Sequence, residues 1–233
     1  MAYIPRSLVI SDGCYFHVTW QCHNKDWFLK WDWSKQLYYD LLLKYKDKYG
    51  LDIHSYCFMD NHPHLSGRLK DREQFSAFFR TVNGLFARKA NKMLERCGQM
   101  VMDRFKSPAI KDDRHLLTVM TYGDLNPCRA GKVTKPEQYK WSSYGYYAYG
   151  RPDPLITPPP SYLALGDTPE ERQKVYREMV GELLNSSQYI NISDTRFIGD
   201  PDWVLEKYRE MKEKMVIVIF GGGKRVTTIP SPG

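Results

Sequence analysis

Apolar positions in the first 130 residues alternate between strand-like and helix-like spacing. Short runs rich in aromatic and β-branched residues predict strands at 13–22, 53–59, 62–69 and 100–111. Two longer segments with apolar residues every three or four positions predict amphipathic helices at 32–49 and 75–94. The resulting order is βαββαβ. We therefore predict an α+β fold of the ferredoxin-like type, an antiparallel sheet with helices on one face.

A third helix is predicted to begin near Arg114 and to be disrupted or ended at Asn126-Pro127. Residues 151–161 contain five prolines and predict a stiff connector. Beyond it, Thr168-Pro-Glu-Glu171 has the form of a helix-starting capping box, and a second helix is expected from Pro201 to about Met215. The predicted organisation is a domain at 1–150, a Pro-rich connector with a C-terminal helical extension at 151–220, and a mobile tail at 221–233.

Composition indicates a compartment and a class of partner. The five cysteines are an odd number without a CxxC pair, which favours free thiols in a reducing compartment. The longest apolar run, 215–220, is too short to span a bilayer, so we expect a soluble cytoplasmic protein with no membrane partner. The net charge is +7, and residues 61–111 carry 11 basic against 4 acidic residues. This local excess of positive charge favours a nucleic acid as partner, although a solvated basic surface is the plainer interpretation.

The stretch DNHPHL, residues 60–65, holds two of the six histidines two positions apart. On a strand these positions share a face, so His62 and His64 could hold one metal ion, or could be two polar residues of a half-exposed strand. Pro63 cannot donate to a sheet ladder and counts against a central strand, although the start of a strand tolerates it. A structural zinc site that adds Cys57 is a lesser alternative, because no fourth ligand lies at standard spacing.

A second candidate group lies in the third helix. Tyr122 and Asn126 are four positions apart and would project from one face. A tyrosine hydroxyl can attack phosphorus when a metal ion polarises the phosphate. An asparagine oxygen can complete a coordination shell begun by two imidazoles, which suits Mg²⁺ or Mn²⁺ and leaves zinc open. Packing is the plainer role for one of 17 tyrosines, and an asparagine before Pro127 equally fits a helix end.

Five segments together carry a family resemblance: YFHVTWQCHNKDWFL (15–29), FMDNHPHL (58–65), DRFKSPAI (103–110), YGDLNPCRAG (122–131) and YKWSSY (139–144). Over roughly residues 12–150 the chain resembles the single-tyrosine transposases of the IS200-like superfamily. These carry an HUH motif (His, hydrophobic, His), and the chain is most similar to the branch associated with repetitive extragenic palindromes, the REP-associated tyrosine transposases. The resemblance implies that His62, His64 and Asn126 bind the divalent ion and that Tyr122 is the nucleophile.

The chain departs from this family at two positions. Pro63 stands where the family more often has Val, Ile or Leu, and Gly123 where it usually has a large aliphatic residue. Glycine weakens a helix by about 1 kcal/mol relative to alanine, which would suit a mobile tyrosine-bearing helix or a decayed enzyme. Because the motif residues are intact, we favour activity.

The resemblance implies an enzyme, a metal-dependent transposase and endonuclease with strand-transfer activity on single-stranded DNA. It would cleave and rejoin hairpins of palindromic repeats through a 5′-phosphotyrosine intermediate, with no general base that can be named from the sequence. The aromatic run 141–149 either stacks on unpaired bases or, more plainly, packs against the core. Candidate phosphate contacts, or else parts of a solvated face, are Arg68, Lys70, Arg80, Arg88, Lys92, Arg104 and Lys106.

Two other functions fit the same residues. One is a metal-dependent nuclease in which water attacks and Tyr122 is incidental, and this function predicts that Tyr122→Phe retains cleavage. The other is a non-catalytic module for binding nucleic acid on the same frame, which predicts metal-independent binding and no covalent adduct. A monomer and a homodimer are both open.

Overall fold

The computed structural model describes residues 5–102, 104–186, 192 and 195–221, with side chains as far as residue 214. The strands are β1 (Tyr15–Thr19), β2 (Leu51–Phe58), β3 (Pro63–Leu69), β4 (Ala109–Ile110) and β5 (Phe197–Ile198). The helices are α1 (Asp32–Lys46), α2 (Arg72–Met93), α3 (Asp113–Arg129), α4 (Tyr144–Tyr149), α5 (Pro160–Leu163), α6 (Pro169–Asn185) and α7 (Pro201–Gly221). The elements from β1 to β4 follow the predicted βαββαβ order, which confirms the α+β fold class.

The strands form one sheet in the order β2-β3-β1-β4-β5. All pairs are antiparallel except β4 with β5, so the structure adds a fifth, parallel strand to the predicted antiparallel sheet. The fourth strand is much shorter than the predicted 100–111. Pro108 has no N–H for the ladder. Among the described residues before it, only isolated bridges form, between Lys106 and Thr19 and between Val101 and Cys22.

One face of the sheet carries the aromatic core. Phe16 points to this side, and its ring contacts Phe75 and Phe79 of α2 at centroid distances of 4.9 and 6.3 Å. Gly67 lies opposite Phe16 on β3. A Cβ at Gly67 would come within 2.1 Å of the Asp52 carbonyl oxygen and 2.9 Å of the Phe16 ring, so only glycine fits this crossing.

The other face carries polar residues and is covered by α3. Side chains that alternate along a strand point to opposite faces. His64, its partner Cys57 on β2 and its partner Thr19 on β1 therefore share the face opposite Phe16. Helix α3 packs on β2 and β3, and Asp124 is among the charged neighbours of Cys57. The structure thus adds α3 on the second face of the sheet to the helices predicted on the first face.

The predicted helices are present, and two of them continue beyond their predicted ends. Helix α3 does not end at Asn126 but continues through Pro127 to Arg129. A proline removes only its own N–H, and beyond it the Ala130 N–H still donates to the Asn126 carbonyl at 2.9 Å. Helix α7 begins at the predicted Pro201 but runs to Gly221 rather than to about Met215.

The C-terminal part packs against the sheet and its helices. The predicted capping box is present, with the Glu171 N–H donating to Thr168 Oγ1 at 3.2 Å at the start of α6. Within the Pro-rich connector, the Thr157 N–H donates to the Ile53 carbonyl of β2 at 2.8 Å. The division into domains at residue 150 stays a prediction, and residues 222–233 of the predicted tail lie outside the described residues. Over the part of the chain described, no helix combines the length and apolar character needed to cross a bilayer.

Candidate metal and nucleophile site

The hairpin between β2 and β3 positions the histidine pair. The Met59 N–H donates to the His62 carbonyl at 3.0 Å and closes the turn, and Pro63 then occupies the first position of β3, opposite Phe58. At this position the missing N–H of proline costs no ladder bond. Pro63 therefore fits the strand start that the sequence left open, and it places His62 at the turn and His64 inside the sheet.

The two imidazoles face each other through their Nε2 atoms, which lie 3.0 Å apart. The other ring nitrogen of each histidine, Nδ1, also has a neighbouring polar atom. Nδ1 of His62 lies 2.6 Å from Asn61 Oδ1, and Nδ1 of His64 lies 3.2 Å from Nε2 of His17 on β1. Because an amide oxygen only accepts hydrogen bonds, His62 carries its proton on Nδ1 and presents the lone pair of Nε2 to His64.

Burial keeps these imidazoles uncharged. Burial, with the nearby His62, lowers the pKa of His17 to about 4. Burial also lowers the pKa of His62 to about 4, against the opposing effect of Asp60. The pKa of His64 lies well below its usual 6.5, through burial and its two histidine neighbours. The neutral imidazole is the form that binds metal ions, so the pair has the right protonation state at neutral pH.

The spacing and the chemistry of these residues fit a divalent ion. Two ligands at about 2.1 Å from one ion and at right angles are about 3.0 Å apart, the separation of the two Nε2 atoms. On α3, the Asn126 side-chain nitrogen is buried and has no hydrogen-bond partner in the described part of the chain. A buried amide without a partner is available for a ligand, and turning it over exchanges its nitrogen for its oxygen.

Among the described residues, no group of three His, Cys, Asp or Glu side chains could hold a metal ion. A third protein ligand from this part of the chain would be of another kind, and the side-chain amide of Asn126 is one candidate. The zinc alternative with Cys57 loses its support, because Cys57 and the two histidines do not form such a group among the described residues.

Tyr122 and Asn126 lie on one side of α3 together with Arg129, whose guanidinium is 4.8 Å from the centre of the Tyr122 ring. Tyr122 is buried, with 4% of its surface exposed. The structure thus brings His62 and His64 together and places Tyr122 and Asn126 on the helix that covers their face of the sheet. That all four act in one site stays a prediction.

The opposite side of α3 is anchored by a buried carboxyl group. Asp124 accepts a hydrogen bond from the Tyr176 hydroxyl of α6 at 2.7 Å and a longer one from the Ser143 hydroxyl at 3.4 Å. Burial raises the pKa of Asp124 to about 7, although both hydrogen bonds oppose this rise. Because Asp124 lies between Tyr122 and Asn126 in sequence, these bonds fix the rotation of the helix that presents them.

Sequence reasoning missed His17 and Asp60 as parts of this region. A βαββαβ fold puts β1 beside β3, and His17 is one of the two histidines in segment 15–29, so a signal for the His17–His64 contact was present. Asp60 forms an ion pair with Lys35 of α1 at 2.9 Å and a second with Lys132, which follows α3. This acid ties both helices to the turn that carries His62.

The seven predicted phosphate contacts are all exposed, as that role requires. Lys106 is paired with Thr19, so its side chain projects on the face that carries His64. Arg80 and Arg104 line one open cleft of about 280 Å³ with Arg6. Contact with DNA stays a prediction for all seven.

In the aromatic run 141–149, Tyr144 and Tyr147 are buried in the core, in agreement with the packing interpretation.

Comparison with known families gives a match over a little less than half of the chain. The sequence model of the IS200-like transposases matches residues 10–122. The matched range includes the three histidines of the cluster and ends at Tyr122, with Asn126 one turn beyond it. The predicted resemblance is confirmed, and the chain carries an IS200-like transposase region.

A solved structure resembles this chain in its fold. The chain shares its fold with a REP-associated tyrosine transposase whose structure was determined bound to a REP hairpin. The TM-score is 0.55 and the identity 18%, and the match covers 67% of this chain and 92% of the other. No curated protein matches the sequence.

Proposed function

We propose that this protein is a REP-associated tyrosine transposase, which cleaves and rejoins single-stranded DNA at hairpins of palindromic repeats in the cytoplasm. The observation that carries the proposal is the histidine pair. Two neutral imidazoles have their Nε2 atoms 3.0 Å apart and a polar neighbour at each Nδ1, within a region that matches the IS200-like family. The solved relative bound to a REP hairpin supports the choice of DNA.

His62, His64 and Asn126 are the residues that would hold the ion, Mg²⁺ or Mn²⁺. When bound, a divalent ion polarises the scissile phosphate and neutralises charge that develops on it. The residues around the pair orient the two ligands. Asn61 fixes the His62 ring through Nδ1, and His17 engages the Nδ1 of His64, an arrangement that directs both Nε2 atoms toward one point.

The Tyr122 hydroxyl is the proposed nucleophile. Its oxygen forms a bond to the scissile phosphorus and gives up its proton, while the bond from phosphorus to the 3′-oxygen breaks. That 3′-oxygen leaves with a proton as a free hydroxyl, and the 5′-phosphate stays on Tyr122. Attack by the 3′-hydroxyl of another strand reverses these steps, joins the strands and releases the tyrosine without an external energy source.

A single assay tests this chemistry. The full chain is incubated with a labelled single-stranded hairpin and Mg²⁺ or Mn²⁺, and then denatured and separated by size. We expect a covalent protein–DNA adduct that disappears with a chelator and in Tyr122→Phe. As a matched control, Tyr149→Phe removes a hydroxyl from an exposed tyrosine of α4 and should leave the adduct unchanged.

Other outcomes would refute the proposal in distinct ways. Cleavage without an adduct that survives in Tyr122→Phe would indicate a nuclease in which water attacks. Binding that needs no divalent ion, with neither cleavage nor adduct, would indicate a module that only binds nucleic acid. A solution mass measured with and without the hairpin would decide between a monomer and a homodimer.

A further inference from the structure

Arg129 lies in the last turn of α3, seven positions after Tyr122. Seven residues make close to two helical turns, so the two side chains leave the helix on the same side, with Cα atoms about 10.5 Å apart. Side chains on a helix lean toward its N-terminus, and the long arginine side chain spans this distance. Its guanidinium carbon lies 4.8 Å from the centre of the Tyr122 ring. Arg129 is therefore in direct contact with the proposed nucleophile.

The N–H donors of this guanidinium group are open to a ligand. Arg129 is exposed, whereas the Tyr122 residue beneath it is 4% exposed. Over the described residues, neither a carboxylate nor a carbonyl oxygen pairs with Arg129. Arginine carries five N–H donors in a planar fork and keeps its charge at neutral pH. Its face can rest on an aromatic ring while its edge binds an anion, so an anion beside Tyr122 would meet these donors.

Arg6 shows how an arginine that joins parts of the fold is bonded. It also lies over a ring, 3.6 Å from the centre of that of Phe105, and it donates to Ser107 Oγ and to the Phe105 carbonyl, both at 2.9 Å. Arg129 has no such bonds in the described part of the chain, so joining elements does not explain its place over the ring. A cation in the last turn also suits the helix dipole, but that role requires no contact with the nucleophile.

The proposed reaction brings an anion to this position. Reacting atoms in a bound complex are about 3–3.5 Å apart, so the scissile phosphorus would lie that close to the Tyr122 hydroxyl. The non-bridging oxygens of that phosphate are then within reach of a guanidinium group that covers the ring, through hydrogen bonds of about 2.7–2.9 Å. Burial lowers the pKa of His17, His62 and His64, so none of them is charged at neutral pH. Arg129 is thus a permanent positive charge that the protein itself places at the nucleophile.

We propose that Arg129 is a catalytic residue of the cleavage step, whose guanidinium group donates hydrogen bonds to a non-bridging oxygen of the scissile phosphate and holds that phosphate beside the Tyr122 hydroxyl. The bonds made and broken are those of the proposed function, and Arg129 keeps its protons throughout. This inference rests on the proposed function, because it needs Tyr122 to attack a phosphate. The same contact serves the reverse step, in which the phosphate is attached to Tyr122.

The first measurement separates chemistry from binding. The rate of adduct formation is measured with saturating hairpin and Mn²⁺, and the affinity for the hairpin is measured on its own. Arg129→Met removes the cation and keeps a long side chain over the ring, whereas Arg129→Lys keeps the charge without the planar fork. We expect Arg129→Met to slow adduct formation about 100- to 1,000-fold, the usual loss of one donor to the transition state, and to change hairpin affinity far less. Arg129→Lys should recover part of the rate.

The second measurement tests whether the loss depends on the charge of the phosphate. The hairpin is made with a methylphosphonate at the cleavage position, where a methyl group replaces one charged oxygen. We expect Arg129→Met to form the adduct nearly as fast as the unaltered protein on this hairpin, because no phosphate charge remains for Arg129 to neutralise. If neither protein reacts with it, Arg129→Lys decides on the ordinary hairpin: a partial recovery of the rate supports the inference, and no recovery overturns it.

Arg209→Met is the matched control, because Arg209 is an exposed helical arginine of α7, which packs on β5. It removes the same charge and should leave both rates unchanged. Thermal unfolding of each variant shows that the fold is retained. Two further results would overturn the inference: an adduct rate unchanged in Arg129→Met, or a loss of the same size on the methylphosphonate hairpin. Failure of the proposed function appears separately, as a missing adduct in the unaltered protein.

Discussion

Replacing Tyr176 with phenylalanine removes one hydroxyl from the buried contact between α6 and the helix that carries Tyr122. That hydroxyl donates to the Asp124 carboxyl group at 2.7 Å, and both residues are fully buried. The variant keeps the ring, which packs against Tyr147 and Tyr162 at centroid distances of 5.2 and 5.8 Å. The change therefore isolates one hydrogen bond without opening a cavity.

The size of the effect depends on the charge of Asp124. Burial raises its pKa from 3.8 to about 7, so between these values the folded protein binds a proton that the unfolded chain does not. Stability from this group is therefore present at low pH and is lost as pH rises toward 7. Above pH 7 the Tyr176 hydroxyl donates to a carboxylate, a bond worth about 1.5–3 kcal/mol, whereas below pH 7 it donates to a neutral acid, worth about 0.5–1.5 kcal/mol.

We expect Tyr176→Phe to lower the melting temperature by about 3–12 °C at pH 8.5 and by less at pH 5.5. The control is Tyr162→Phe, which removes a hydroxyl that donates to the Tyr147 carbonyl at 2.9 Å in the same aromatic cluster. Its partner does not ionise, so its loss should be similar at both pH values. Circular dichroism with a chelator present measures both. Equal losses at both pH values for Tyr176→Phe would refute the assignment of a buried, ionisable Asp124.

Three further substitutions test the site, the helix α3 and the packing of β3. His17→Phe should weaken binding of Mn²⁺ about 10- to 100-fold by titration calorimetry, because His64 loses the contact at its Nδ1; unchanged affinity would show that His17 does not orient the ligand. Gly123→Ala should stabilise the fold by up to about 1 kcal/mol, because an added Cβ meets nothing within 4 Å. By contrast, Gly67→Ala should destabilise it by at least about 1–3 kcal/mol, since its Cβ would overlap the Asp52 carbonyl. Chemical denaturation measures the free energy of unfolding of both glycine variants. Equal changes in Gly123→Ala and Gly67→Ala would contradict the packing described.

Local signals in the sequence determined much of the fold. The spacing of apolar residues predicted the βαββαβ order, and the capping box at Thr168 predicted the start of α6. The two-residue spacing predicted that His62 and His64 lie together, and their Nε2 atoms do face each other, although His62 lies in the turn before β3. These features depend on residues a few positions apart, whose relative orientation is set by backbone geometry alone.

Only the tertiary structure decided which distant residues support that pair. His17 reaches His64 across 47 positions, Tyr176 reaches Asp124 across 52, and Lys132 reaches Asp60 across 72. The pairing of β5 with β4 and the packing of α3 on the polar face also join residues that are far apart in the sequence. Each depends on how helices and strands pack against one another, and no periodicity within a short window carries that information. The sequence by itself thus determined the order of elements from β1 to α3 and the histidine pair, and packing decided what orients the pair and what surrounds it.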